Sequence, residues 1–181
     1  MTDLFQLANQ LSEAGGDAPL PVDQWHPSHC GSMDMVIRAD GTWWHEGVRI
    51  TRAPLVRLFS RILRKDDDGY VLVTPAEKVS IIVEDVPFLA VDFDIIGTDW
   101  HFRTNVGDIV RIDDTHPIEM RRSETIDQYA PYIRVRGGLD ARLERSAYYR
   151  MAAQLETSDA SDDLLLYSGG AVFTLQAEAA S

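Results

Sequence analysis

The sequence predicts an α+β protein made of two tandem β-rich halves, each with one main helix. Three observations point there. Short runs of alternating apolar and polar residues recur along the chain, separated by Gly, Pro, Asp and Asn. The few stretches with helical spacing are inserted among these runs, which argues against a parallel α/β sheet. The element order also nearly repeats on either side of Asp85-Val86-Pro87, although the residues do not, as a duplication would leave it. The halves are therefore placed at 1–85 and 86–181.

Taken in order, Leu4, Phe5, Leu7, Ala8 and Leu11 follow helical spacing after Thr2, a capping residue, and end at Gly15-Gly16. A loop with Pro19, Pro21 and Pro27 follows. Met33, Met35 and Ile37 alternate with Asp34, Val36 and Arg38, giving a strand with one buried face. Asp40-Gly41 turns the chain into a return strand over 42–45, and Glu46-Gly47 turns it into 48–50. Thr51 caps a helix over 52–64 with Pro54 in its first turn. Its apolar face is Leu55, Val56, Leu58, Phe59, Ile62 and Leu63. Asp66 to Gly69 form a turn before strands at 70–74 and 79–84. The second half gives strands at 88–95, 100–104, 109–112, 118–121 and 132–136. Gly137-Gly138 then opens a helix over 139–155, with Leu139, Leu143, Ala147 and Met151 on one face. A hairpin of 164–167 and 172–175 around Ser168-Gly169-Gly170 closes the fold, and the tail after Gln176 frays.

The chain has 181 residues, 45% hydrophobic and 25% charged, as in ordinary globular proteins. Its formal net charge of -12 repels nucleic acid and disfavours anionic membrane surfaces. No apolar run is long enough for membrane insertion. The expected partners are a small-molecule ligand and, secondarily, a protein. One cysteine forms no internal disulfide, and the N-terminus shows no secretory pattern, so the expected location is cytoplasmic.

Trp25 to His45 hold three of the five histidines (His26, His29, His45), the only cysteine (Cys30) and three of the four tryptophans. A metal site needs three or four such donors, yet neither a Cys-x-x-Cys pair nor a His-Glu-x-x-His helix is present. No metal or other cofactor is therefore expected, and a structural loop is favoured over a catalytic Cys30. Trp43 and Trp44, adjacent on a strand, point to opposite faces; one belongs to the core, the other to a half-exposed position or a ligand wall. Arg57, Arg61 and Arg64 form a helical stripe, read as a solvated face in preference to an anion site. Arg103 to Asp108 gather a cation, a hydroxyl, an amide and a carboxylate around one turn. Arg134 to Leu139 end a strand in two glycines. Either a helix start there holds an anion beside Arg136, or the glycines make a tight turn, the reading slightly favoured.

These strings occur in order: Trp25-His26-Pro27 to Gly31, Asp40-Gly41-Thr42-Trp43, Leu55-Val56-Arg57-Leu58-Phe59 and Val73 to Val79. Arg103 to Asp108, Val135 to Leu139, Tyr148-Tyr149 and Ser168-Gly169-Gly170 follow. Together they resemble the bacterial family called domain of unknown function 1285 over Pro21 to Leu175. The resemblance implies a duplicated α+β core whose second half is similar to a pleckstrin-homology-like fold. It also implies a ligand site between the halves and a role in signal transduction, with no assigned reaction. His26, Asp34, Arg103, Asn105 and Arg136 carry over as site candidates, and Trp43 is added as the aromatic wall. The functional expectation is a binding or sensing module for an anionic small molecule, not an enzyme. The alternatives are a metal-dependent hydrolase built on His26, His29 and Asp34, and a protein-interaction domain.

Overall fold

A computed structural model of the chain describes residues 20–123 and 125–176. The expected helix over Leu4 to Leu11 and the tail beyond Gln176 lie outside the described residues. The chain divides after Glu84 into two compact units. The described residues are mostly β, with two α-helices and two six-stranded sheets.

In the first unit β1 (His29–Ile37), β2 (Trp43–His45) and β3 (Val48–Arg49) form a meander. Helix α1 (Ala53–Arg61) follows, and then a second meander of β4 (Leu63–Asp66), β5 (Gly69–Val73) and β6 (Lys78–Val83). The order across the sheet is β3-β2-β1-β6-β5-β4, with β1 and β6 parallel. Strand alternation works as expected: Met33, Met35 and Ile37 are buried, and Ser32 and Asp34 are exposed. Asp40 fixes the first hairpin, its Oδ1 accepting from the Thr42 amide at 3.0 Å and the Thr42 hydroxyl at 2.6 Å.

Helix α1 ends three residues before the expected Arg64, where the Ile62 amide bonds the Phe59 carbonyl at 3.2 Å. Leu63 to Asp66 instead pair with β5, because Asp67-Asp68 make a hairpin turn that Gly69 completes at φ 128°. The arginine stripe therefore loses Arg64. Its guanidinium donates to the Val22 and Trp25 carbonyls at 2.8 Å each and pairs with Asp66, tying the segment before β1 to β4. Helix α1 anchors through Phe59, fully buried and stacked on Trp43 at 6.5 Å. The Trp43 Nε1 is buried without a hydrogen-bond partner. That costs about 1–3 kcal/mol, against about 5 kcal/mol from burying an indole, so the ring stays in the core.

The second unit carries β7 (Phe88–Ile96), β8 (Asp99–Thr104) and β9 (Ile109–Arg111), then β10 (Ile118–Ser123), β11 (Gln128–Arg136) and β12 (Leu139–Leu143). Its sheet order is β10-β11-β12-β7-β8-β9, with β12 and β7 parallel. Counted from its own first strand, each sheet has the same order, 3-2-1-6-5-4. The helices differ in place: α1 lies between the two meanders, whereas α2 (Arg145–Ala152) follows the last strand.

The expected helix over 139–155 is thus a strand followed by a shorter helix. Gly137 and Gly138, at φ 48° and 77°, make a two-residue hairpin turn between β11 and β12. A third sheet contains β13 (Glu156–Thr157), β14 (Leu164–Ser168) and β15 (Ala171–Leu175). Ser168 Oγ accepts from the Trp100 amide at 2.9 Å and donates to the Ile112 carbonyl at 2.7 Å, fastening this hairpin to the second sheet. At Gly169 a Cβ would lie 2.5 Å from the Asp113 Cβ, so only glycine fits.

Phe59→Ala is expected to destabilise the protein by about 3–5 kcal/mol through lost burial and the cavity left behind, measurable by urea denaturation. The Arg64 hydrogen bond holds the Asp66 carboxyl at about 2, below its ordinary 3.8, and Lys78 adds to the effect. Asp113 is held at about 2 chiefly by the Thr115 hydroxyl. A depressed carboxyl contributes stability above its unfolded pKa and loses it as pH falls through its folded one. Stability is therefore expected to drop between about pH 4 and pH 2, and Asp66→Asn to remove part of that slope in denaturation measured across pH.

Candidate functional site

The two-residue period of β10, β11 and β12 sorts their side chains onto two faces. Ile118, Ile133 and Ala141 stand in register on the buried face. The opposite face carries Glu119, Arg121 and Ser123 from β10, Tyr132 and Arg134 from β11, and Asp140 and Arg142 from β12. Cross-strand register pairs Glu119 with Tyr132, Tyr132 with Arg142, and Arg134 with Asp140.

Two sunken carboxylates organise this face, each with a side chain 9% exposed. Asp140 accepts from Arg134 Nε at 2.6 Å on one oxygen and from Arg121 Nη2 at 2.8 Å on the other. Arg121 also reaches Glu119 at 3.3 Å and covers the Tyr132 ring, its guanidinium carbon 3.9 Å from the centroid. Asp85 accepts from Arg142 at 2.7 Å, from Ser123 Oγ at 3.0 Å and from the Tyr132 hydroxyl at 3.0 Å. Burial pushes the Tyr132 phenol upward, so it stays a neutral donor. A small open depression lies over this network, lined by Pro117, Glu119, Tyr132, Arg134 and Asp140.

Of the residues expected from sequence, His26, Asp34 and Trp43 belong to the first unit, and Arg103, Asn105 and Arg136 to the second. Trp43 is a correction: at 1% exposure it lines the core and offers no wall to a ligand. Trp44 takes the other face, half-buried under the Arg38 guanidinium at 3.8 Å. His26 and Asp34 are exposed, and the Asp34 carbonyl accepts from the Glu46 amide. His29 Nε2 lies 2.9 Å from Ser80 Oγ. Among the described residues no three His, Cys, Asp or Glu side chains gather into a metal-binding group.

In the second unit Arg103 faces Asp94 at 3.4 Å and Asp92 at 3.8 Å. Asn105 brackets Leu89, its side-chain oxygen accepting from the Leu89 amide at 3.0 Å and its own amide donating to the Leu89 carbonyl at 2.8 Å. Arg136 pairs with Asp108 at 2.6 Å and lies over the Phe88 ring at 5.0 Å. The structure thus brings Asn105 and Arg136 to one end of β7, around Phe88-Leu89, and turns Arg103 toward other partners. Strand β12 and not a helix follows directly on Gly138, so the helix-start anion site beside Arg136 is not formed. Sequence reasoning missed Asp85, Glu119, Arg121, Tyr132, Asp140 and Arg142. Asp85 lies before β7 and outside any strand; for the others the signal was polar residues at alternate positions in three strands, and only the register shows which stand opposite.

The arrangement defines a class: a two-unit, mostly β protein whose second sheet bears a charged, part-sunken polar face. Residues 20–86 match "Domain of unknown function (DUF1285), N-terminal domain", and residues 87–175 match "Protein of unknown function (DUF1285), C-terminal domain". The crystal structure of a DUF1285 family protein from Silicibacter pomeroyi DSS-3 is similar at 38% identity and TM-score 0.85, over 95% of each chain. One from Shewanella baltica OS155 is similar at 29% identity and TM-score 0.55, over 68% of this chain and 94% of that one. No curated protein matches the chain. The chain belongs to the DUF1285 family.

Arg142→Leu leaves Asp85 sunken without its cation. It is expected to cost about 3–5 kcal/mol in urea denaturation, more than Arg122→Leu, whose Asp127 partner is exposed.

Proposed function

We propose that this protein is a small-molecule binding or sensing module whose ligand presents an anionic group to Arg121 and Arg134. The observation behind this reading is the convergence of those two guanidinium groups on one carboxylate, Asp140, at the edge of an open depression. Arg136 pairs with Asp108 and Arg103 faces Asp92 and Asp94, whereas Arg121 and Arg134 meet at the same sunken carboxylate, beside the depression. Their side chains are 37% and 44% exposed, so a ligand carboxylate or phosphate can reach them from solvent.

Six strands followed by α2 support a pleckstrin-like description of the second unit. A single cysteine favours a reducing, cytoplasmic setting, and no helix among the described residues is long and apolar enough to cross a membrane. A module that binds without a reaction of its own fits a sensing role in signal transduction. The hydrolase alternative lacks a gathered ligand set among the described residues.

Thermal unfolding with and without inorganic phosphate or acetate tests the reading. Saturating ligand is expected to raise the Tm of the wild type by about 3 °C for each kcal/mol of binding linkage. Arg134→Gln is expected to lose the shift, and Arg103→Gln to keep it. An equal shift in all three proteins, or none in the wild type, overturns the proposal.

A further inference from the structure

We infer that the ligand is zwitterionic, of amino-acid type, with its carboxylate toward Arg134 and Arg121 and its ammonium toward Glu119. This rests on the ligand-binding reading above and narrows its chemistry. Charges alternate beside the depression, which Glu119, Asp140 and Arg134 line and Arg121 adjoins: Glu119 lies 3.3 Å from Arg121, Arg121 lies 2.8 Å from Asp140, and Asp140 lies 2.6 Å from Arg134. A simple anion approaching the arginines also meets Asp140 and Glu119. A simple cation approaching Glu119 also meets Arg121. A molecule carrying both charges a few bonds apart answers both signs at once.

Two further features agree. Pro117 lines the depression along with the charged groups and offers apolar contact to a short aliphatic link, while the buried Tyr132 ring forms the floor beneath Arg121. The chain carries a net charge of -12, which repels a free anion at long range and leaves a zwitterion of zero net charge unopposed. Glu119 is the element that a plain anion site would not contain. Its side chain is 61% exposed, so the structure does not need it for packing.

Calorimetric titration of the full chain tests the inference, using glycine, β-alanine and γ-aminobutyrate against butyrate and butylammonium. At least one amino acid is expected to bind about tenfold tighter than butyrate, the worth of one charge-assisted hydrogen bond. Glu119→Gln is expected to abolish that advantage and leave butyrate affinity unchanged. Butyrate binding as tightly as every amino acid, while still depending on Arg134, overturns the zwitterion inference and leaves the anion reading standing. No binding by any of the five compounds overturns the zwitterion inference, and if phosphate and acetate also leave the Tm unchanged the anion reading falls with it.

Discussion

Each six-stranded sheet is closed at its centre by a parallel ladder between its first and last strands, β1 with β6 and β7 with β12. Much of the second unit depends on that contact. It places β12 in the interior of the sheet, where Leu139, Ala141 and Leu143 are buried against the core. Alternation then sends Asp140 to the opposite face, at the middle of the sheet and not at its rim. A carboxylate there is partly shielded from water and needs cations. The neighbouring strands supply Arg134 directly opposite and Arg121 one strand farther. The charged face is thus a consequence of how the chain closes its sheet.

The energetics of that face are uneven. Exposed pairs such as Arg121 with Glu119 contribute little, because water screens them and ordering long side chains costs entropy. Asp85 and Asp140 differ, since a sunken carboxylate stripped of its partners costs several kcal/mol. The carboxylates therefore dictate the arrangement and the arginines follow. Asp85 is also tied to Tyr132 and Ser123, so its three donors are held in one geometry. The ring of Tyr132 in turn supports the Arg121 guanidinium.

Local signals in the sequence were read well where one residue type decides the backbone. Asp40-Gly41 and the alternation of Met33, Met35 and Ile37 produced the hairpin and buried face observed. Reading failed where two periods fitted the same residues. Leu139 and Leu143 satisfy helical spacing, yet Gly137-Gly138 is a hairpin turn and both leucines lie on a strand. Ile62 and Leu63 likewise extend an apolar helical face, but pairing of Leu63 with Leu72 is what buries it. Asn105 and Arg136 were recognisable as polar residues at strand ends. Asp140, Arg121 and Arg134 were not, because their meaning lies in cross-strand register, a property of three strands and not of any one.

The central ladders also bear on how each unit assembles in time. Partners such as Phe88 and Ala141 are separated by about fifty residues, so the contact closes a long loop before it returns any favourable energy. The hairpins on either side are local and form within microseconds. Each unit therefore has two quickly formed meanders that must find one another before the sheet exists. The search for that alignment, more than the formation of any single strand, sets the folding rate. During it, the unpaired edges of β7 and β12 are the surfaces most open to pairing with another chain.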